Sequence, residues 1–236
     1  MQISTSLNQS GSGHLTHALA SLRQAAQSWD QAEQSQTQAD RFLSSAERDF
    51  QNAEFPARRA SFDNGRKDSS FEGREIDRHF RSGDRNIDDS QYRLRHADLQ
   101  LRQTGQNIDQ GQNYLSQLEQ QYRESGDERL ASVQSAQREL LSSERSFGNV
   151  DSAWNSAHSD LRFTKSNIQR ADFDIRQISW DRPGQDVSMY GSRVSNTIRT
   201  VQSDIRGAEW DMRRAGSEGN TGESHLDRAI AILEGL

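Results

Sequence analysis

Apolar residues recur in alternating steps of three and four along almost the whole chain. The first run goes Leu15, Ala18, Leu22, Ala25, Trp29, Ala32 and on through Phe50 to Ala60. The second passes from Ile76 through Leu94 and Ile108 to Tyr122. The third passes from Val133 through Trp154 to Ile178, and the fourth from Val194 through Met212 to Leu236. A seam that holds this phase for about 50 residues has the coiled-coil period, so each run predicts one long helix with a narrow apolar face. One seam position per heptad is large and the other is mostly Ala, Gly, Ser or Thr. Small residues let two helix axes approach, and large ones fill the space beside them. Gly83 and Gly111 sit on the seam and read as close-packing glycines.

The breaks between runs carry turn chemistry. Asp63-Asn64-Gly65, Ser125-Gly126-Asp127 and Asp181-Arg182-Pro183-Gly184 separate the helices, with Gly or Asn suited to a left-handed cap. Ser69-Ser70-Phe71-Glu72 offers a capping box to the second helix. The predicted helices span 14–62, 69–123, 127–180 and 186–234. At ~1.5 Å per residue each makes a rod on the order of 75 Å long. The stretch from Gly216 to Gly222 is the weakest, but the seam keeps its phase across it, which favours a frayed helix over a break.

The segment AEFPARRASFDNGRKDSSFEG (53–73) aligns without gaps on ADFDIRQISWDRPGQDVSMYG (171–191). Ala53/Ala171, Phe55/Phe173, Arg58/Arg176, Ser61/Ser179, Asp63/Asp181, Asp68/Asp186, Ser70/Ser188 and Gly73/Gly191 are identical. Glu54/Asp172, Phe62/Trp180 and Phe71/Met189 are conservative pairs. The offset is half the chain, and it aligns the seams elsewhere, as at Leu22/Leu140 and Ile87/Ile205. The chain therefore reads as an all-α, elongated antiparallel four-helix bundle made of two tandemly duplicated helical hairpins. These are 14–118 and 119–236, behind a flexible polar tail at 1–13. Up-down-up-down topology puts turns one and three at the same end, so the duplicated segment occurs twice on one tip. Because each hairpin has a complete seam, residues 1–118 alone are expected to pair with a copy of themselves. Asp174 replaces Pro56 in the second copy, so the proline is dispensable to the motif.

Composition narrows the class. The chain has 236 residues with 31% hydrophobic content and a mean hydropathy of −1.02. Leu, Ile, Val and Phe make up about 18% of it, below the usual level of folded chains. The net charge of −6 is too small for the disorder signature, and thin seams reconcile so polar a chain with a folded core. There are no cysteines, which excludes disulfides, thiolate metal sites and cysteine nucleophiles. The longest apolar run, AIAIL at 229–233, is too short to span a bilayer. The first residues lack the apolar stretch of a secretory signal.

No motif carries chemistry. There is no phosphate-binding Gly-x-x-x-x-Gly-Lys-Ser/Thr, no Gly-x-Ser-x-Gly and no His-Glu-x-x-His. The Glu-x-x-His pair used by di-iron bundles is missing too. His14 and His17 share a face, and His225 returns to that end with Glu223 and Asp227 nearby, but solvated helix-end histidines fit better than a metal site. Arg58 to Arg95 is rich in arginine, yet acidic residues interleave almost as often, which makes a salt-bridge-laced surface and argues against nucleic-acid binding.

The remaining signal is apolar residues at outer positions. Phe55, Phe62 and Phe173 fall two residues after a small seam position, Trp180 falls two after Ile178 at the same heptad phase, and all four face water, with Arg58 and Arg176 beside them. Phe71, Tyr92 and Leu99 on the second helix and Trp210 on the fourth fall at the same outer position. Aromatic residues and Arg are favoured interface anchors. The expectation is a non-enzymatic structural or adaptor protein with no cofactor, which binds a protein partner or itself through Phe55, Arg58, Phe62, Phe173, Arg176, Trp180, Tyr92, Leu99 and Trp210. It is expected to bind no nucleic acid, to insert in no membrane, and to be cytoplasmic. The polar leader leaves an exported effector or appendage component as the alternative.

Overall fold

The computed structural model describes residues 3–63, 65, 67–182 and 184–236, with side-chain surroundings from Gly13 onward. Four helices occupy nearly all of it: α1 (Ile3–Ser61), α2 (Ser70–Ser125), α3 (Leu130–Ser179) and α4 (Ser188–Glu234), with no strand among the described residues. α1 pairs with α2 and α3 with α4 as two hairpins of a four-helix bundle. α1 begins at Ile3, ahead of the start at 14 read from the seam. Met1, Gln2 and the side chains of 3–12 lie outside the described residues; the backbone of 3–13, read as part of a flexible tail, is helical. Asn64 and Pro183, assigned to turns, lie outside as well. α1 continues past Pro56 to Ser61, and α4 runs unbroken through Gly216–Gly222.

The helix ends show how the turns are made. Gly126 (φ +67°) takes the left-handed cap of α2, and the Asp127 amide donates to the Tyr122 carbonyl at 2.9 Å, which is the Schellman closure. Asp127 then accepts from the backbone and guanidinium of Arg129, and this delays α3 to Leu130 against the expected 127. At α2 the expected capping box does not form. Glu72 pairs with Arg59 of α1 instead. The Ser69 amide donates to Asp181 Oδ2 at 2.7 Å, and the Ser70 amide donates to Asp68 Oδ1 at 2.8 Å. A carboxylate from the other hairpin therefore does the work assigned to Glu72. Asp186 caps Ser188 of α4 as Asp68 caps Ser70, and both carboxyls are held below their usual pKa by hydrogen bonds from the serine hydroxyl first and the serine amide second.

The bundle divides into two units, each built from one segment of every helix. Unit 1 comprises Met1–Ser35, His96–Ala153 and Arg214–Leu236. Its core holds the fully buried Trp29 beside Phe147, with ring centroids 4.9 Å apart. These two residues are equivalent in the repeat. Each meets a glycine of α4: a Cβ on Gly219 would overlap the Trp29 ring, and one on Gly222 would stand 3.0 Å from Phe147. The glycines that made α4 look fragile are the hollows that admit these rings. Gly111 of α2 likewise faces Leu22, where a Cβ would stand 2.6 Å away.

Unit 2 comprises Gln36–Arg95 and Trp154–Arg213 and holds both copies of the duplicated segment. Phe50 packs edge-on against Phe80 at 5.2 Å, and Gly83 leaves room for the Phe50 ring. Gly73 of α2 lies against the Ser179 backbone of α3, and Gly191 of α4 against the Ser61 backbone of α1. The two contacts are the same contact, made once by each copy. Turns one and three meet where the Gly184 amide donates to the Gly65 carbonyl at 3.0 Å. Within the hairpins, Asn86 donates to Asp49 at 2.9 Å and Asn167 donates to Asp204 at 3.0 Å. Asp49 and Asn167 are equivalent, as are Asn86 and Asp204. The hydrogen bond survives in both copies with donor and acceptor exchanged, so it ties the facing helices in one register in each hairpin.

Candidate partner-binding surface

Every outer residue singled out in the sequence is exposed. Phe62 keeps 84% of its surface in water, Phe55 and Trp180 keep 68% each, and Phe173 keeps 59%. Tyr92, Leu99 and Trp210 are each 62% exposed. Their placement follows from the seam. Ala53, Ala57 and Ala60 are fully buried, so residues two past a small seam position point directly away from the core.

Offset by half the chain, the exposed residues fall into pairs: Phe55 with Phe173, Phe62 with Trp180, Phe71 with Met189, and Tyr92 with Trp210. All eight lie in unit 2. Met189, paired with Phe71 by the offset, proves exposed like it. Leu99 has Ser217 as its equivalent and lies in unit 1. Leu141 and Phe163 are exposed too, but neither falls at the outer seam phase, and no sequence signal marked them.

Arg58 pairs with Glu54 one turn earlier on α1, and Arg176 pairs with Asp172 on α3. These intrahelical pairs are again repeat equivalents. Each leaves the guanidinium more than half exposed, where such a pair is worth only ~0.3–0.5 kcal/mol. It orients the arginine without consuming it. Arg59 lies over the Phe55 ring at 5.8 Å, and Phe173 meets Tyr190 edge-on at 6.2 Å.

Between α1 and α4 of unit 2 a cleft of about 390 Å³ is lined by Arg58, Ser61, Phe62, Ser192, Ser195, Asn196 and Arg199. It offers two guanidinium groups, four hydroxyl or amide side chains and one ring, with no carboxylate in its lining. That set suits a carboxylate-bearing side chain flanked by an apolar one. The equivalent positions between α3 and α2 include Asp77 along with Arg74, Arg78 and Arg81, so the two copies are alike in their rings and differ in their charges.

The histidines do not assemble. His14 and His17 lie against Tyr114, the latter stacked at 5.2 Å. His225 turns to Glu139 of α3 at 2.7 Å rather than toward His14 and His17. Among the described residues no group of three His, Asp or Glu is placed to hold a metal ion. No helix among them is long and apolar enough to cross a membrane.

Several carboxyls are pushed above their usual pKa by burial: Glu144 and Glu223 in unit 1, and Asp160, Asp174, Asp204 and Glu209 in unit 2. Neighbouring acids add to this at Asp160, where Asp211 and Asp204 follow burial as causes. A carboxyl with a raised native pKa binds its proton more readily folded than unfolded, so its ionisation costs stability as pH rises through that pKa. The carboxyls held low, such as Asp127 at about 2 through Arg129, lose their contribution only below the ordinary carboxylate range. Just above the ordinary carboxylate range these raised carboxyls therefore favour the folded state as they take up protons. The expected outcome is a higher Tm at pH 5 than at pH 7 in thermal unfolding; a lower one would contradict this assignment.

No known protein family, characterised protein or solved structure matches the chain.

Proposed function

We propose that this protein is a non-enzymatic structural or adaptor element that docks a protein partner through the duplicated segment of unit 2. The observation that carries this reading is the recurrence of large exposed apolar side chains at the same four outer positions in both copies. An isolated exposed ring is ordinary on a protein surface. The seam, the cap aspartates and the packing glycines account for folding without any of these eight residues, and their repeated exposure points to a contact made outside the chain. Aromatic rings beside a half-exposed arginine are the composition of an interface anchor.

The cleft lined by Arg58, Phe62 and Arg199 gives the partner a character: a protein segment bearing an acidic side chain next to an apolar one. Nucleic acid is disfavoured, because the net charge is −6 and Glu54 and Asp172 already meet the ring-flanking arginines. The test is a pull-down from the native cell extract with the wild type beside Phe62→Ala/Trp180→Ala, with circular dichroism on both. Loss of captured partner at unchanged helicity supports the proposal. Equal capture by both proteins would overturn it, and collapse of helicity in the double variant would assign the rings to capping the hairpin ends.

A further inference from the structure

We infer that the two hairpins have diverged into complementary halves, so that each accepts the other and rejects a copy of itself. Three features of the interface between the hairpins support this, and each takes opposite forms at repeat-equivalent places.

The first is charge. Glu47 of α1 pairs with Arg206 of α4 at 3.0 Å. The equivalent pair is Lys165 of α3 with Asp88 of α2 at 2.9 Å, joined by Asp84 at 2.7 Å. The sign is reversed. Burial works against the charge of Lys165, but Asp84 and Asp88 outweigh it and hold its pKa above the usual value. If the first hairpin paired with its own copy, Glu47 would face Asp84 and Asp88. If the second did so, Lys165 would face Arg206. Each homotypic pair would replace two attractions with two repulsions.

The second is size. Trp29 of α1 fits because α4 has Gly219 opposite it, where even a Cβ would overlap the ring. In a homotypic pair of first hairpins that place is taken by Leu101, the equivalent of Gly219. In the structure Leu101 instead shares a cleft with the smaller Phe147. Trp with Gly and Phe with Leu are two fillings of one layer, and exchanging them gives a clash in one homotypic pair and a void in the other.

The third is a polar contact between equivalents. Trp154 Nε1 donates to Gln36 Oε1 at 3.2 Å, and the two residues are 118 apart. A homotypic pair of first hairpins would set Gln36 against its own copy, and one of second hairpins would set Trp154 against its own copy. The indole–amide bond exists only in the mixed pair. These features reverse the expectation that residues 1–118 pair with themselves. Exchange between two copies of the chain is then restricted to swapping a first hairpin against a second.

The test uses the full chain with a protease site inserted in the turn at Gly126, cleaved after folding. The nicked protein is unfolded in denaturant and refolded as a mixture, and its complexes are counted by native mass spectrometry. The wild type is expected to return the mixed pair in excess over either homotypic pair by roughly tenfold or more, as clash and charge each oppose the alternatives. A second sample carries Asp84→Gln, Asp88→Arg and Lys165→Glu, which install at the second site the Glu, Gln and Arg of the first and leave the core untouched. Its expected outcome is a severalfold larger homotypic fraction. A statistical mixture from the wild type would overturn the inference. So would an unchanged ratio in the charge variant, or hairpins that stay apart.

Discussion

Alanine at both Gly73 and Gly191 is expected to destabilise the protein by about 2–4 kcal/mol, although alanine is the better helix former. At each site the added Cβ would overlap backbone atoms, Ser179 of α3 for Gly73 and Ser61 of α1 for Gly191. Backbone cannot rotate aside as a side chain can. Relief requires moving two helices apart, and that loosens the buried neighbours Ile76, Ile178, Val194 and Ala60. Gly105 and Gly148 provide the contrast. Both lie inside helices, and nothing lies within 4 Å of an added Cβ. Alanine there is expected to stabilise by about 0.5–1 kcal/mol each, through reduced freedom of the unfolded chain. Denaturant titration of the two double variants measures both effects, and equal signs would contradict the packing described here.

Gly219→Ala is expected to cost about 1–3 kcal/mol by overpacking, because the ring it meets is fully buried and has no space to move into. Trp29→Phe alone is expected to cost up to a few kcal/mol by leaving a void. Together the two changes should cost less than their sum, since the smaller ring vacates the place the methyl enters. The double-mutant cycle reads this as a coupling of ~0.5–3 kcal/mol. Strict additivity would mean that the two residues do not share the space.

The seam made the fold legible. Apart from the half-buried Gln36, residues read at 3-4 spacing from Ala18 to Leu233 are buried, and Gly83 and Gly111 sit in contact with Phe50 and Leu22 as close-packing glycines should. What the sequence hid was choice of partner. Ser69 and Glu72 have the spacing of a capping box, but Asp181 lies 112 residues away in sequence and beside Ser69 in space. Arg59, one helix earlier, claims Glu72. The exchange of Asp49 and Asn86 for Asn167 and Asp204 is visible at the repeat offset, but it has meaning only once the facing helices are known. Glu47 and Lys165 are the same case. Local spacing sets which face is buried, and tertiary contacts set which group meets which.

For the surface, the outer seam phase located the exposed rings because that phase is fixed by the core. Arg58 and Arg176 were marked by the repeat and not by that phase, and their carboxylate partners sit one turn away on the same helix. Arg199 and the serines of α4 escaped, because they join the surface only when α4 packs beside α1.

The duplicated segment is proposed to dock a partner at two places that share their rings. The most direct measurement is the stoichiometry of the captured partner on the wild type, on Phe62→Ala, on Trp180→Ala and on the double variant. Isothermal titration calorimetry reads it. Each single variant is expected to retain one of the two docking places and the double variant neither, with helicity preserved throughout. Unchanged binding in the double variant, or complete loss in one single variant with none in the other, would contradict it.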